Sequence, residues 1–92
     1  MSETVRRTLD IIVPGYNEGR NIDIFFHEVQ KVTACIEGYD FSYIFIDDGS
    51  TDDTLEKIRE LADSYSFVHY ISFSRNFGKE AAMYAGLKAA AD

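Results

Sequence analysis

The chain alternates three apolar runs with three helical patterns, and this alternation constrains its fold more than any other feature. The apolar runs are rich in β-branched and aromatic side chains, as buried strands are: residues 9–13, 41–46 and 67–73. Helical spacing of apolar residues follows each run, at residues 22–36, 51–64 and 80–91. Strands and helices in such alternation form parallel sheets with right-handed crossovers. The sequence therefore predicts a three-layer α/β fold with a mostly parallel sheet, in the order β-α-β-α-β-α.

Length and composition limit what such a chain can be. Its 92 residues make one small domain or part of a larger one, and three βα units are half of a usual doubly wound domain. We expect a tail at residues 1–8 and a partial domain at residues 9–92 that continues past Asp92. The net charge of −7 and the lack of a basic patch argue against nucleic acid as a partner. The single Cys35 excludes an internal disulfide and is predicted to be at least half-buried.

The most acidic segment lies where the second strand should end and the second helix should begin. Asp47 and Asp48 are adjacent, so their carboxylates repel each other, although a simple turn needs only one of them. Ser50 or Thr51 can cap the following helix, with two further acids in its first turn at residues 52–53. A turn and a ligand site explain the acidic pair about equally well at this point.

Three polar loops are predicted to meet at one edge of the sheet, because the carboxyl ends of parallel strands share an edge. They are residues 14–20, 47–51 and 74–79. Together they offer acceptors, a ring and cations that suit a nucleotide with phosphates: Glu18, Asp47, Asp48, Asn17, Asn76, Tyr16, Arg20, Arg75 and Lys79. Carboxylates accept hydrogen bonds from a base or ribose, whereas Arg, Lys and a helix N-terminus can bind a diphosphate. Neither a G-x-G-x-x-G fingerprint nor a P-loop is present.

Motifs in these loops resemble the start of a family 2 glycosyltransferase with the GT-A fold. They are Val-Pro-Gly-Tyr-Asn-Glu at residues 13–18, Asp-Asp-Gly-Ser-Thr-Asp at 47–52, and Ser-Arg-Asn-Phe-Gly-Lys-Glu-Ala-Ala at 74–82. The third motif is most similar to the branch that contains dolichyl-phosphate mannosyltransferases and bactoprenol (undecaprenyl-phosphate) glucosyltransferases. Any one motif is weak, but three in order at the family's spacing are specific. The resemblance covers residues 9–92, the nucleotide-binding half of a Rossmann-like GT-A domain.

The resemblance implies that one set of residues binds the nucleotide: Pro14, Tyr16, Asn17, Glu18, Asp47, Asp48, Ser50, Arg75 and Lys79. The residues of the first motif would line the base and ribose, and the acidic pair would contact the base or ribose. The two cations would lie near the diphosphate. Gly15 departs from the larger residue that the family usually has there, which loosens the loop but removes no reactive group.

The resemblance further implies a reaction and its partners. The donor would be a UDP- or GDP-sugar, whose hexose passes to a polyprenyl phosphate or a saccharide in cell-wall or polysaccharide synthesis. Mg²⁺ or Mn²⁺ would be held by a D-x-D motif expected beyond Asp92, so these residues would carry no metal ligand or catalytic group and would be inactive alone. The chain would be cytoplasmic, with its parent at the cytoplasmic face of the membrane. The first strand would be an exposed edge, and we expect a homo-oligomer through it.

Three alternatives compete with this interpretation. A receiver domain of a phosphorylation switch also has an acidic pair at strand ends, but its pair follows the first strand, whereas the pair here follows the second. A nucleotidyltransferase usually has a Gly-rich loop with Arg and Lys after its first strand, and residues 14–18 lack that density. A non-catalytic homologue that kept the fold remains open.

Overall fold

The computed structural model of the protein describes residues 7–91, which form strands and helices in the predicted order. The elements are β1 (Arg7–Gly15), α1 (Gly19–Thr33), β2 (Tyr39–Asp47), α2 (Thr54–Ser64), β3 (Val68–Ser72) and α3 (Lys79–Ala91). β1 and β3 each pair in parallel with β2, so the strand order is β1-β2-β3. This confirms the predicted α/β fold. Residues 1–6, most of the predicted tail, lie outside the described part, as does Asp92.

Helices cover both faces of the sheet. Successive side chains of β2 point to opposite faces, so this strand contributes to the core on each side. Tyr43 and Phe45 point into the larger core, beneath α1 and α2, where Phe26 and Ile58 are fully buried. The alternate residues of β2 face α3, with Ala82 packed against them. The result is the predicted three-layer arrangement.

α3 lies close to the sheet because its inward side chains are small. Ala82 is fully buried, and Gly86 is also buried. A Cβ atom built on Gly86 would collide with Cγ2 of Ile12 on β1. The Ala-rich sequence of this helix therefore allows close packing on the sheet.

The helix starts differ from the prediction. α1 begins at Gly19, three residues before Ile22, where the predicted helical pattern starts. α2 begins at Thr54 rather than near Thr51, so neither Ser50 nor Thr51 caps it. Both shifts have one cause, because residues 50–54 form hydrogen bonds with the start of α1.

The apolar face of α1 is only partly buried. Ile22 and Phe26 enter the core, whereas Phe25 and Val32 remain 40% and 63% exposed. Phe25 instead lines a shallow cavity beside Val13 at the outer strand, β1. The helix also ends at Thr33, so Cys35 lies beyond it and is exposed. The prediction that Cys35 is at least half-buried was wrong.

The carboxyl ends of the strands lead into three loops at one edge of the sheet. We call residues 16–18 the first loop, residues 48–53 the second loop and residues 73–78 the third loop. β1 extends through Pro14 to Gly15, beyond the predicted end at Val13. A residue without an N–H is tolerated there because β1 pairs on one side only within residues 7–91. No helix in this range is long and apolar enough to cross a bilayer.

Candidate functional site

The three loops enclose a cleft of about 330 Å³ at the carboxyl edge of the sheet. Residues from all three strand ends line it: Pro14, Gly15, Tyr16, Glu18, Asp48, Asn76, Gly78 and Lys79. A larger hollow of about 550 Å³ lies at the opposite edge, beside Tyr39, Phe41 and Phe67. Its lining includes Asp40 but no cation, whereas the cleft combines carboxylates with a lysine. The cleft is therefore the better site for an anionic ligand.

The structure brings together five of the residues predicted for the site and places four others outside the cleft lining. The five in the lining are Pro14, Tyr16, Glu18, Asp48 and Lys79. The four outside it are Asn17, Asp47, Ser50 and Arg75. Sequence reasoning did not predict Gly15 and Gly78, and it named Asn76 among the polar loop residues but not in the set implied by the resemblance. Their position beside predicted residues in the same loops was the available signal.

Asn17 joins the first loop to the second. Its Oδ1 accepts the backbone N–H of Thr51 at 2.8 Å and that of Asp52 at 3.3 Å, and its own N–H donates to Ser50 Oγ at 2.9 Å. Asn17 has a φ of 52°, a left-handed conformation that asparagine tolerates better than most residues. Asn17 and Ser50 therefore hold the loops that carry the cleft residues, rather than line the cleft.

The second loop also supplies the partners for the start of α1. The N–H of Glu18 donates to Thr54 Oγ1 at 2.9 Å, and the N–H of Gly19 donates to Asp52 Oδ2 at 3.2 Å. Thr54 in turn donates its hydroxyl and its backbone N–H to Asp52 Oδ1. These bonds, led by the one from the Thr54 hydroxyl, lower the pKa of Asp52 below its ordinary value, while desolvation opposes them.

The two adjacent carboxylates have different surroundings. Asp47 is 2% exposed, and its oxygens accept the N–H of Ser50 at 3.2 Å and the hydroxyl of Ser72 at 3.4 Å. Asp47 thus stabilises the turn after β2. Its position agrees with the explanation of the acidic pair by a turn rather than by a ligand site. Asp48 is 4% exposed but lines the cleft, and it accepts two backbone N–H groups of the third loop.

The two cations of the third motif also differ in position, since one lines the cleft and the other does not. Lys79 is the first residue of α3 and lines the cleft, where the positive end of the helix dipole adds to its charge. The guanidinium of Arg75 lies 4.8 Å from the centroid of the Phe77 ring, and Arg75 is not in the lining. Lys79 is therefore the cation in position to meet an anion in the cleft.

Two groups in the first loop are available to a ligand. Tyr16 lines the cleft and is 44% exposed, so it is accessible to a ligand. Glu18 is also exposed, and its Oε2 accepts the Asn21 amide at 3.2 Å. That bond leaves the carboxylate with further lone pairs for a ligand.

Within residues 7–91 no group of three or more His, Cys, Asp or Glu side chains could hold a metal ion. The residues of the cleft therefore do not fit a metal centre of their own, and none of its lining residues is assigned as a metal ligand.

The fold and the cleft define an α/β domain with a polar ligand site at the carboxyl edge of a parallel sheet. A family model described as glycosyl transferase family 2 matches residues 10–92, and the chain belongs to that family. Membership excludes the receiver domain and the nucleotidyltransferase as alternatives.

Named relatives agree with this assignment. The chain is 51% identical over 80 residues to CsbB of Bacillus subtilis (strain 168), a protein named as a glycosyltransferase by assignment. It is 42% identical over 79 residues to a prophage bactoprenol glucosyl transferase homolog of Escherichia coli (strain K12). These matches cover 87% and 86% of this chain but 24% and 26% of the relatives, so the chain spans about a quarter of their length.

A solved structure has a similar fold. It is the mannosyltransferase PcManGT from Pyrobaculum calidifontis, in complex with GDP-Man and Mn²⁺. The TM-score is 0.73 at 23% identity, over 94% of this chain and 25% of that one. This likeness confirms the predicted GT-A type of fold.

Proposed function

We propose that the cleft binds the nucleotide of a UDP- or GDP-sugar, and that the whole protein transfers the hexose to a polyprenyl phosphate or a saccharide. One observation carries the proposal. The cleft combines acceptors on the first two loops with a lysine at a helix N-terminus on the third. A nucleoside diphosphate needs this combination, because its base and ribose offer donors while its phosphates are anionic.

The base and ribose would lie against the first two loops. The exposed ring of Tyr16 offers a face for stacking, and Glu18 and Asp48 supply carboxylate oxygens that accept N–H or O–H groups. Pro14 and Gly15 also line the cleft. Asn17, Asp47 and Ser50 act indirectly, since their bonds fix the loops in place.

The diphosphate would lie near Lys79 and the N-terminus of α3. The net charge of −7 repels an anion from most of the surface, so a local cation decides where the phosphates can bind. We propose that Mg²⁺ or Mn²⁺ accompanies the diphosphate, and the presence of both GDP-Man and Mn²⁺ in the PcManGT complex supports this. Such an ion would neutralise charge on the leaving nucleotide. The ligands of that ion are not assigned to this chain.

The acceptor is inferred from a relative. Bactoprenol in the name of the Escherichia coli relative supports a polyprenyl phosphate as the acceptor. We further propose that the reaction takes place at the cytoplasmic face of the membrane. Because the chain spans about a quarter of its relatives, we propose that these residues bind the donor and do not transfer the sugar alone.

Calorimetric titration with UDP and with GDP, each with and without Mn²⁺, tests donor binding. We expect saturable binding of one of the two and little dependence on Mn²⁺, because the described residues hold no metal cluster. Binding of neither nucleotide would contradict the proposal.

We also propose self-association through β1. Within residues 7–91 this strand pairs on one side only, and Leu9 on it is 45% exposed. Sedimentation velocity should show a dimer or higher oligomer that Leu9→Lys weakens. A monomer at every concentration would contradict this proposal without touching the nucleotide site.

A further inference from the structure

We propose that the hollow at the edge of the sheet opposite the cleft is a second ligand site. It takes a small uncharged molecule that has an aromatic or aliphatic body and one hydrogen-bonding group, and the hydroxyl of Tyr43 pairs with that group. The hollow is separate from the nucleotide site, because the two lie at opposite ends of the strands.

The hydroxyl of Tyr43 is buried without a hydrogen-bond partner. Tyr43 is 1% exposed, and within residues 7–91 its Oη is the one buried side-chain polar atom that nothing pairs with. A buried hydroxyl in this state destabilises the folded protein, whereas phenylalanine would fill the same place at no such cost. The hydroxyl therefore needs a partner that the described residues do not supply.

Aromatic rings hold the side chain of Tyr43 in place. The Phe26 ring meets it edge-on with the centroids 5.0 Å apart, and the Phe45 ring stacks with it at 6.2 Å. Both of these phenylalanines are fully buried. Turning the Tyr43 ring out to solvent would leave a void among closely packed side chains, which is costly. The partner must therefore come to the hydroxyl.

The hollow has room for such a partner beside Tyr43. Its volume of about 550 Å³ is within the range of small-molecule sites, and Tyr43 is part of its lining. Much of the remaining lining is aromatic or aliphatic: Ala34, Ile36, Tyr39, Phe41 and Phe67.

The lining determines which chemistry fits. It includes no Lys or Arg, so it offers no cation to an anionic ligand. A charged group placed against so deeply buried a hydroxyl would lose its hydration, whereas an uncharged group loses far less. The hydroxyl of Thr33 is already used, since it donates to the carbonyl of Gln30 at 3.1 Å. The hydroxyl of Tyr43, which can donate or accept, is thus the group left to pair with a ligand.

Phenol and toluene test the site, because they share a shape and differ in one hydroxyl. Titration of the wild type with each probe should shift the amides of Ala34 and Phe41 saturably. The ratio of phenol affinity to toluene affinity should fall about tenfold in Tyr43→Phe, which keeps the ring and removes its hydroxyl. Comparing ratios cancels the greater hydrophobicity of toluene.

Tyr65→Phe is the matched control, because it removes a hydroxyl from another ring packed on the same core that does not line the hollow. It should leave the ratio of the two affinities unchanged. The proposal is overturned if neither probe shifts Ala34 and Phe41 saturably. It is also overturned if the ratio is the same in the wild type and in Tyr43→Phe.

Urea unfolding without a probe distinguishes a ligand site from a hydroxyl that is bound to a buried water. If the hydroxyl has no partner in the free protein, the midpoint of Tyr43→Phe should equal or exceed that of the wild type. A lower midpoint, or a variant that does not fold, would show that the hydroxyl already has a partner, and the proposal would fail.

Discussion

The side chain of Asn17 accepts the backbone N–H of Thr51 at 2.8 Å, across 34 residues of sequence. This bond makes the loops after β1 and β2 into one unit. The first loop carries Tyr16 and Glu18 into the cleft, so their placement depends on residues of the second loop that do not line it.

Substitutions of Asn17 separate its side-chain bonds from its backbone conformation. Asn17→Ala should lower the free energy of unfolding by about 2 kcal/mol, since it loses a hydrogen bond and places alanine at positive φ. Asn17→Gly should lose about 1 kcal/mol, because only the bond is removed. Asn17→Asp keeps an acceptor and should stay near the wild type. Urea unfolding measures all three, and equal values for Ala, Gly and Asp would contradict this role.

Asp52 makes stability depend on pH in acid. Its folded-state pKa is lowered, chiefly by the Thr54 hydroxyl, so its contribution is fully present above its unfolded pKa of about 4. The contribution is lost as the pH falls through the lower folded-state pKa. Wild type should exceed Asp52→Asn in thermal stability at neutral pH, and the difference should shrink at acid pH. If the difference in thermal stability between the wild type and Asp52→Asn stays constant from neutral to acid pH, this role of Asp52 is contradicted.

Gly86→Ala tests the packing of α3 on the sheet. Alanine favours a helix by about 1 kcal/mol, but the added Cβ meets Ile12 and such overpacking typically costs about 1–3 kcal/mol. We expect net destabilisation in urea. Ile12→Ala removes the opposing atoms, so the double variant should be more stable than the two single effects predict. Simple additivity would show that the two residues do not meet.

Lys79→Ala should weaken binding of UDP or GDP about tenfold, while the nucleoside is unaffected, because phosphate is the group that we propose this lysine to bind. Lys88→Ala is the control, since it removes the same charge from the last turn of the same helix. Calorimetry or equilibrium dialysis gives both affinities. Equal losses for the two variants would point to general charge attraction rather than a site.

The order of elements could be read from the sequence because apolar periodicity is a local signal. The apolar run along residues 41–46 indicates a strand that is buried on both faces, and the small residues of the last segment allow close packing. The ends of the helices could not be read in this way. Gly19 is bound by Asp52 across 33 residues, and no local pattern shows such a cap.

The same limit applies to the cleft. Residue chemistry and the shared edge of a parallel sheet were enough to predict that Glu18, Asp48 and Lys79 lie together. The part of Asp48 in holding the third loop was not predictable, because its partners are backbone N–H groups, which every residue except proline carries. The difference between Asp48 and its buried neighbour Asp47 likewise depends on tertiary contacts.

The central claim is that the nucleotide binds in the cleft at the carboxyl edge of the sheet. Mapping of amide chemical shifts on titration with UDP and with GDP tests it most directly. We predict that one nucleotide shifts the amides of Gly15, Tyr16, Asn76 and Lys79, and leaves those of Ala34 and Phe41 at the opposite edge unchanged. Shifts concentrated at the opposite edge, or none with either nucleotide, would contradict the claim.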